Sequence, residues 1–414
     1  MPMLSSQSIA TVKATAPALR PHGLNLVVRT YELLLRDPNI RMLFDPARQV
    51  NGDQQHIFAE TVIAYVNAMD RLDTLKATVK HLTIQQALLD AQPQHYDAIA
   101  IALIQAIHEL FGKDAVREIT SAWTEALDVL HQESPGGTEE LYHASEPTPA
   151  GWRGYRPFRL QRIIPESSQI NSFYLAPVDG QPLPAFKAGQ YLTLRLTVPD
   201  YGPLLRHYSI SSAATEQAYY RISVKREDAP DTSIPTGLGS GYLHRQAMPG
   251  ILFDVAPPAG VFTLPEGSQP LVLIAGGIGI TPLLSMLETL VTSQPNRPVR
   301  FIHAVRNYAH HAFSSEVRAA IRKLGHASAD FFYEEVGGDA VPGVNYTQVG
   351  RPDPAWVVRT NPNPEALYLV CGPRNFMRYM IQGLRLQGVP ADRILYEFFG
   401  ATDEDLLTAE PIAA

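Results

Sequence analysis

The stretch LVLIAGGIGITPLLSML, residues 271–287, decides how the C-terminal half of the chain folds. It opens on five apolar residues, the length of a strand buried on both faces, and breaks at Gly276, Gly277 and Gly279. Glycine at a strand-to-helix turn permits backbone conformations and close approaches that a Cβ forbids. Thr281 then reads as a helix cap and Pro282 as the first helical residue, with a helical apolar pattern behind them. A helix starting there aims its free amides and the positive end of its dipole at the turn, which predicts a site for a pyrophosphate.

Downstream, short apolar runs alternate with helical ones: VRFIHAV at 299–305, FFY at 331–333, ALYLVCG at 366–372 and RILYEFF at 393–399. Buried strands with helices between them predict a doubly wound parallel sheet over 268–400. Upstream the period changes to two. In GQYLTLRLTV, 189–198, Leu192, Leu194, Leu196 and Val198 share a face and Tyr191 points the other way. Gly and Pro punctuate such runs over 153–265, as in a small antiparallel barrel. HASEPTPAGWRGYRPF, 143–158, reads as a linker. Before it, the stripes Phe58, Val62, Tyr65, Met69, then Ile99, Leu103, Ile107, Leu110, then Val116, Ile119, Trp123, Leu127, Leu130 predict an all-helical domain over 1–143.

The whole chain is 414 residues, too long for one core, which agrees with this three-part division. A net charge of −7 provides no basic field for nucleic acid. The single cysteine, Cys371, allows no internal disulfide. No run of about 18 apolar residues predicts a membrane span, and the N-terminus lacks the features of a secretory signal, so the expected location is the cytoplasm.

Two further motifs carry chemistry. In RHYSIS, 206–211, Arg206 offers a charged donor for a phosphate, Tyr208 a flat ring and hydroxyl, and Ser209 a donor for a ring heteroatom. Cys371, Gly372 and Pro373 end a buried strand, where open α/β sheets bind ligands. In this order, RHYSIS, GGIGITP and CGP resemble the ferredoxin reductase-like family, and GQYL, VKRE (224–227) and YEFFG (396–400) extend the likeness. The resemblance implies FAD at Tyr191, Arg206, Tyr208 and Ser209, and NAD(P)H at Gly276, Gly277, Gly279, Thr281, Pro282, Cys371, Gly372 and Pro373. It also implies that Phe399 covers the isoalloxazine and that Glu397 approaches the nicotinamide.

The helical half, through IATVKATAPAL (9–19), Tyr31, Phe44 and NGDQ (51–54), resembles the globin domain of a flavohaemoglobin. That likeness implies electron flow from NAD(P)H through FAD to haem b, and dioxygenation of nitric oxide to nitrate. It makes Tyr31 the distal donor to dioxygen, Gln54 a second distal polar residue, Phe44 the ring on the haem edge, and Tyr96 the partner of the proximal histidine. The histidine itself should lie ten residues before Tyr96, and that residue is Gln86. A glutamine amide offers iron a weak carbonyl oxygen in place of an imidazole nitrogen. His81 lies about 140 degrees around an ideal helix from Gln86, and His95 abuts the turn at Pro93. The glutamate expected four residues before Tyr142 is Thr138, so the proximal network also departs from the family pattern. The alternatives are a haem-free reductase acting on dioxygen or a quinone, and a helical pocket that takes a lipid or other apolar ligand.

Overall fold

The computed structural model describes residues 5–14, 29–30, 32–36, 93–111, 118–126, 151–152, 154–199, 201–215, 218–228, 237–338 and 340–399. The chain divides into two compact units. One comprises Met1–Pro147 with Arg195–Arg206 and Pro230–Leu238, and the other holds the remainder.

The helical part is described through residues 6–14, helix α1 (Pro93–Phe111) and residues 118–126. Of the expected stripe on α1, Leu103 and Ile107 are buried, together with Ala102 and Ala106, whereas Ile101 faces outward; the side chains of Ile99 and Leu110 lie outside the described residues. Trp123 is buried with Ala122 and Ala126. Ser5 donates its backbone amide to the Glu125 carboxylate at 2.8 Å, and Arg29 pairs with Glu109.

An antiparallel sheet of six strands follows, in the order β4-β3-β6-β1-β2-β5. Its strands are β1 (Arg156–Pro165), β2 (Ile170–Pro177), β3 (Tyr191–Val198), β4 (Gly202–Ser209), β5 (Tyr220–Lys225) and β6 (Leu252–Val255). Just past β4, Ile210 bridges to Ile222 of β5 and the Ser211 amide donates to the Arg221 carbonyl at 2.8 Å. These contacts bring the two edges together, as a barrel requires. The apolar face of β3 is buried as the period predicts. Tyr191 is buried too, because Gly260 packs against its ring on the opposite face.

The third part is a parallel sheet in the order β10-β9-β8-β7-β11-β12. It consists of β7 (Leu271–Gly276), β8 (Val299–Val305), β9 (Ala327–Tyr333), β10 (Gln348–Val349), β11 (Leu367–Gly372) and β12 (Ile394–Phe398). Every residue of β7 is buried. Leu271, Leu273 and Ala275 face one core with Leu283, Leu287 and Leu290 of the helix Ile280–Ser293. Val272 and Ile274 face the other, with Met377, Met380, Ile381 and Leu384 of the helix Arg374–Leu386. Each such leucine contributes about 2 kcal/mol by burial, so a period-two strand between two amphipathic helices is the stable layering.

Candidate functional site

β7 and β11 are neighbours in space, although β8 to β10 intervene in sequence. The strand order reverses between them, which opens a crevice at their carboxyl ends. Both carboxyl ends carry glycine, and each has a steric reason. A Cβ on Gly276 would lie 2.7 Å from the Phe376 ring, and one on Gly372 2.8 Å from the same ring. A Cβ on Gly279 would lie 2.3 Å from the Cys371 carbonyl oxygen. Gly277 has φ +51, a left-handed conformation that other residues rarely adopt. The turn from β7 and the turn from β11 are therefore interlocked at backbone distance.

Two expectations at this turn need correction. Helix α3 (Ile280–Ser293; α2 is Leu238–Arg245) begins one residue before Thr281, with Gly279 as its cap and no side-chain capping bond. Thr281 lies inside the first turn, where its hydroxyl donates back to the Ile278 carbonyl at 3.1 Å. Pro282 is the third helical residue. It is tolerated because the first four amides of a helix have no intrahelical partner. The 3-10 turn Gly277–Gly279 displaced the start, and no composition rule reads that from the letters.

Cys371 is fully buried, and burial beside Glu397 raises its thiol well above the ordinary range. Its side chain is a core group, while its carbonyl abuts the glycine turn. Pro373 caps the helix Arg374–Leu386. Glu397 pairs in register with Cys371 across β11 and β12. Its Oε2 is enclosed without a hydrogen-bond partner among the described residues, and desolvation pushes the carboxyl up to about 8. Phe399 follows β12 with 43% of its surface exposed, so it is not a core aromatic.

On the antiparallel sheet, Arg206, Tyr208 and Ser209 lie along β4, with Tyr208 half-buried and Ser209 buried. Arg206 Nη1 donates to the Leu205 carbonyl at 2.7 Å. His207 between them accepts or donates to Thr193 Oγ1 at 2.8 Å and meets the Tyr191 ring edge-on at 5.1 Å. Tyr31, Phe44, Gln54 and Gln86 fall outside the described residues. Tyr96 falls on α1, with its side chain also outside. Sequence reasoning overlooked Phe376, the ring wedged between Gly276 and Gly372, and His303, which contacts Gly277. The only signal for His303 was a histidine in the apolar stretch 301–305 of a strand run.

A glycine turn interlocked at the switch point of a parallel sheet, preceded by an antiparallel sheet with a basic and aromatic strand, defines a pyridine nucleotide-dependent oxidoreductase. Residues 273–382 match the family described as the oxidoreductase NAD-binding domain. The chain is 38% identical over 401 residues to a flavohemoprotein of Bordetella pertussis, covering 96% of this chain and 99% of that one. A flavohemoprotein of Deinococcus radiodurans is 37% identical over 401 residues, with 96% and 97% covered. The chain belongs to the flavohemoprotein family. Among solved structures, it is similar to the flavohem-like FAD/NAD-binding domain of nitric oxide dioxygenase from Vibrio cholerae, with 32% identity and a TM-score of 0.53 over 60% of this chain and all of that one. The fold of a flavohemoglobin from Malassezia yamatoensis superimposes with a TM-score of 0.80 at 24% identity, over 96% of this chain and all of that one. Among the described residues, no helix is long and apolar enough to cross a membrane. Nothing in them favours the lipid ligand considered above.

Proposed function

We propose that the chain takes hydride from NAD(P)H at the interlocked glycine turns and passes the electrons through FAD to an acceptor served by its helical domain. The observation that carries this is the mutual fit of Gly276, Gly279 and Gly372, which brings two backbone turns together at a switch point. The free amides of such a turn and the first turn of α3 suit a pyrophosphate. The residues also fit FAD: β4 presents a cation, a flat ring and a hydroxyl in Arg206, Tyr208 and Ser209, and Gly260 leaves room for the Tyr191 ring. When bound, FAD accepts a hydride as two electrons and releases them one at a time.

The chain's own residues divide the work. Arg206 neutralises phosphate, Tyr208 and Phe399 cover the flavin, and Ser209 donates to it. Glu397, kept protonated at neutral pH, supplies an O–H donor at the end of β12, where the nicotinamide carboxamide would lie. The domains run 1–143, 153–265 and 268–400, and the protein works in the cytoplasm. Purified, FAD-loaded protein should oxidise NADH or NADPH with ferricyanide as acceptor. Absence of turnover with both nucleotides would refute the assignment.

A second reading concerns the helical half. The donor set does not fit a histidine-ligated haem, because the position ten residues before Tyr96 is Gln86 and its supporting glutamate is Thr138. This departure favours a flavin reductase that delivers electrons to dioxygen or a quinone, with nitric oxide dioxygenation confined to the case in which another group ligates iron. The absorption spectrum of protein made with ample haem precursor separates the two: a stoichiometric haem band restores the dioxygenase, and flavin bands alone establish the haem-free reductase.

A further inference from the structure

Behind the glycine turn stands a set of buried polar side chains that the reading above does not use. His303 lies in β8, the strand beside β7, and is buried. Its Nε2 is 3.0 Å from the Gly277 carbonyl oxygen. A carbonyl can only accept, so the ring proton sits on Nε2. Burial holds the imidazole down to about 4, which leaves it neutral at physiological pH. The same carbonyl also accepts from the Ile280 amide, so both of its lone pairs are engaged.

Peptide geometry carries this contact to the other side of the turn. No cis bond occurs among the described residues, and in a planar trans peptide the N–H of Ile278 points opposite to the Gly277 carbonyl. Gly277 and Ile278 are half-buried, whereas Gly276, Gly279 and Ile280 are buried, so the first two form the open side of the turn. Gly277 at φ +51 has no side chain to resist rotation of that peptide. The His303 ring is itself held in place: its centroid lies 5.3 Å from that of His311, whose Nδ1 is 2.7 Å from the buried Tyr333 hydroxyl at the end of β9.

We propose that His303 is a positioning residue for the pyridine nucleotide: by holding the Gly277 carbonyl inward, it turns the Ile278 amide outward to the nucleotide's phosphates. This rests on the reading that the turn binds NAD(P)H.

The test uses the FAD-loaded full chain and three forms of it: wild type, His303→Leu, which removes the donor and keeps apolar bulk, and His303→Gln, which returns an N–H near the place of Nε2. For the Leu variant, KM for the nucleotide should rise about tenfold, the scale of one lost hydrogen bond. Its kcat should stay within about twofold and its flavin content should be unchanged. The Gln variant should return KM to within about threefold of wild type. ADP-ribose, which carries the pyrophosphate without the nicotinamide, should lose affinity in the same order by calorimetry. A Leu variant with wild-type KM and ADP-ribose affinity, or a Gln variant as impaired as the Leu variant, would overturn the proposal. Should the Leu variant fail to retain FAD, His303→Asn, whose amide is too short to reach the carbonyl, is read against the same two outcomes. Wild-type protein that binds no ADP-ribose would overturn the nucleotide reading itself, before any variant is made.

Discussion

Glu397 shows how a single side chain can be stable in its fold and still be costly. Its pKa is raised from 4.5 to about 8 because burial disfavours the charged carboxylate. The folded state therefore holds a proton that the unfolded state releases, and stability falls as pH rises between about 4.5 and 8. Glu397→Gln removes the titration at constant shape. Its unfolding free energy should match wild type near pH 4.5 and exceed it at pH 8.5 by on the order of 2 kcal/mol, after allowance for the partly open side, with the thermal midpoint raised accordingly. Equal midpoints at both pH values would mean that the carboxyl ionises as freely in the fold as in water. Gly277 makes a different point at the same scale. The letters mark it as a turn glycine, but its φ of +51 and its carbonyl bond to His303 come from strands far apart in sequence.

At the scale of elements, the first helix of the parallel sheet grips the antiparallel sheet by polar contacts. Along α3, Ser285 donates to the Ser212 carbonyl at 2.6 Å, Glu288 accepts from the Ala213 amide at 3.1 Å, and Thr289 accepts from the Ala214 amide at 2.8 Å. Buried Arg221 of β5 lies 2.9 Å from Glu316 of α4 (Ser314–Lys323) and 3.6 Å from Glu288. Burial pushes the Glu288 carboxyl up to about 7, against the opposing pull of Arg221. Removing the cation leaves two carboxylates facing each other. Arg221→Met should lower stability by about 3 kcal/mol, in line with breaking one partner of a buried pair. The deficit should shrink as pH falls toward 5, because Glu288 then protonates. A deficit independent of pH would place the loss in packing alone. The parallel sheet, though not its strand order, was legible in the apolar runs LVLIA, VRFIHAV and ALYLVCG. The start of α3 was not, because it follows a 3-10 turn whose Gly279 packs against the Cys371 carbonyl of a strand distant in sequence.

For the whole molecule, the decisive substitution lies in the helical half. On the reading proposed above, Gln86→His supplies the imidazole that the family pattern places ten residues before Tyr96. Protein grown with ample haem precursor should then gain a stoichiometric haem band, together with the shift on carbon monoxide binding of a reduced haem. An unchanged spectrum would mean that position 86 does not face iron. By itself, the sequence determined the three-part architecture, the glycine turn, the basic and aromatic strand at Arg206 and Tyr208, and the departure at Gln86. Each is written in local periodicity, in glycine and proline placement, or in one residue type at one spacing. Only the tertiary structure decided why each glycine is required, which end of Thr281 does the bonding, and that His303 backs the turn. Those facts depend on β7, β8 and β11 lying side by side, and contacts between strands distant in the chain leave no periodic trace in its letters.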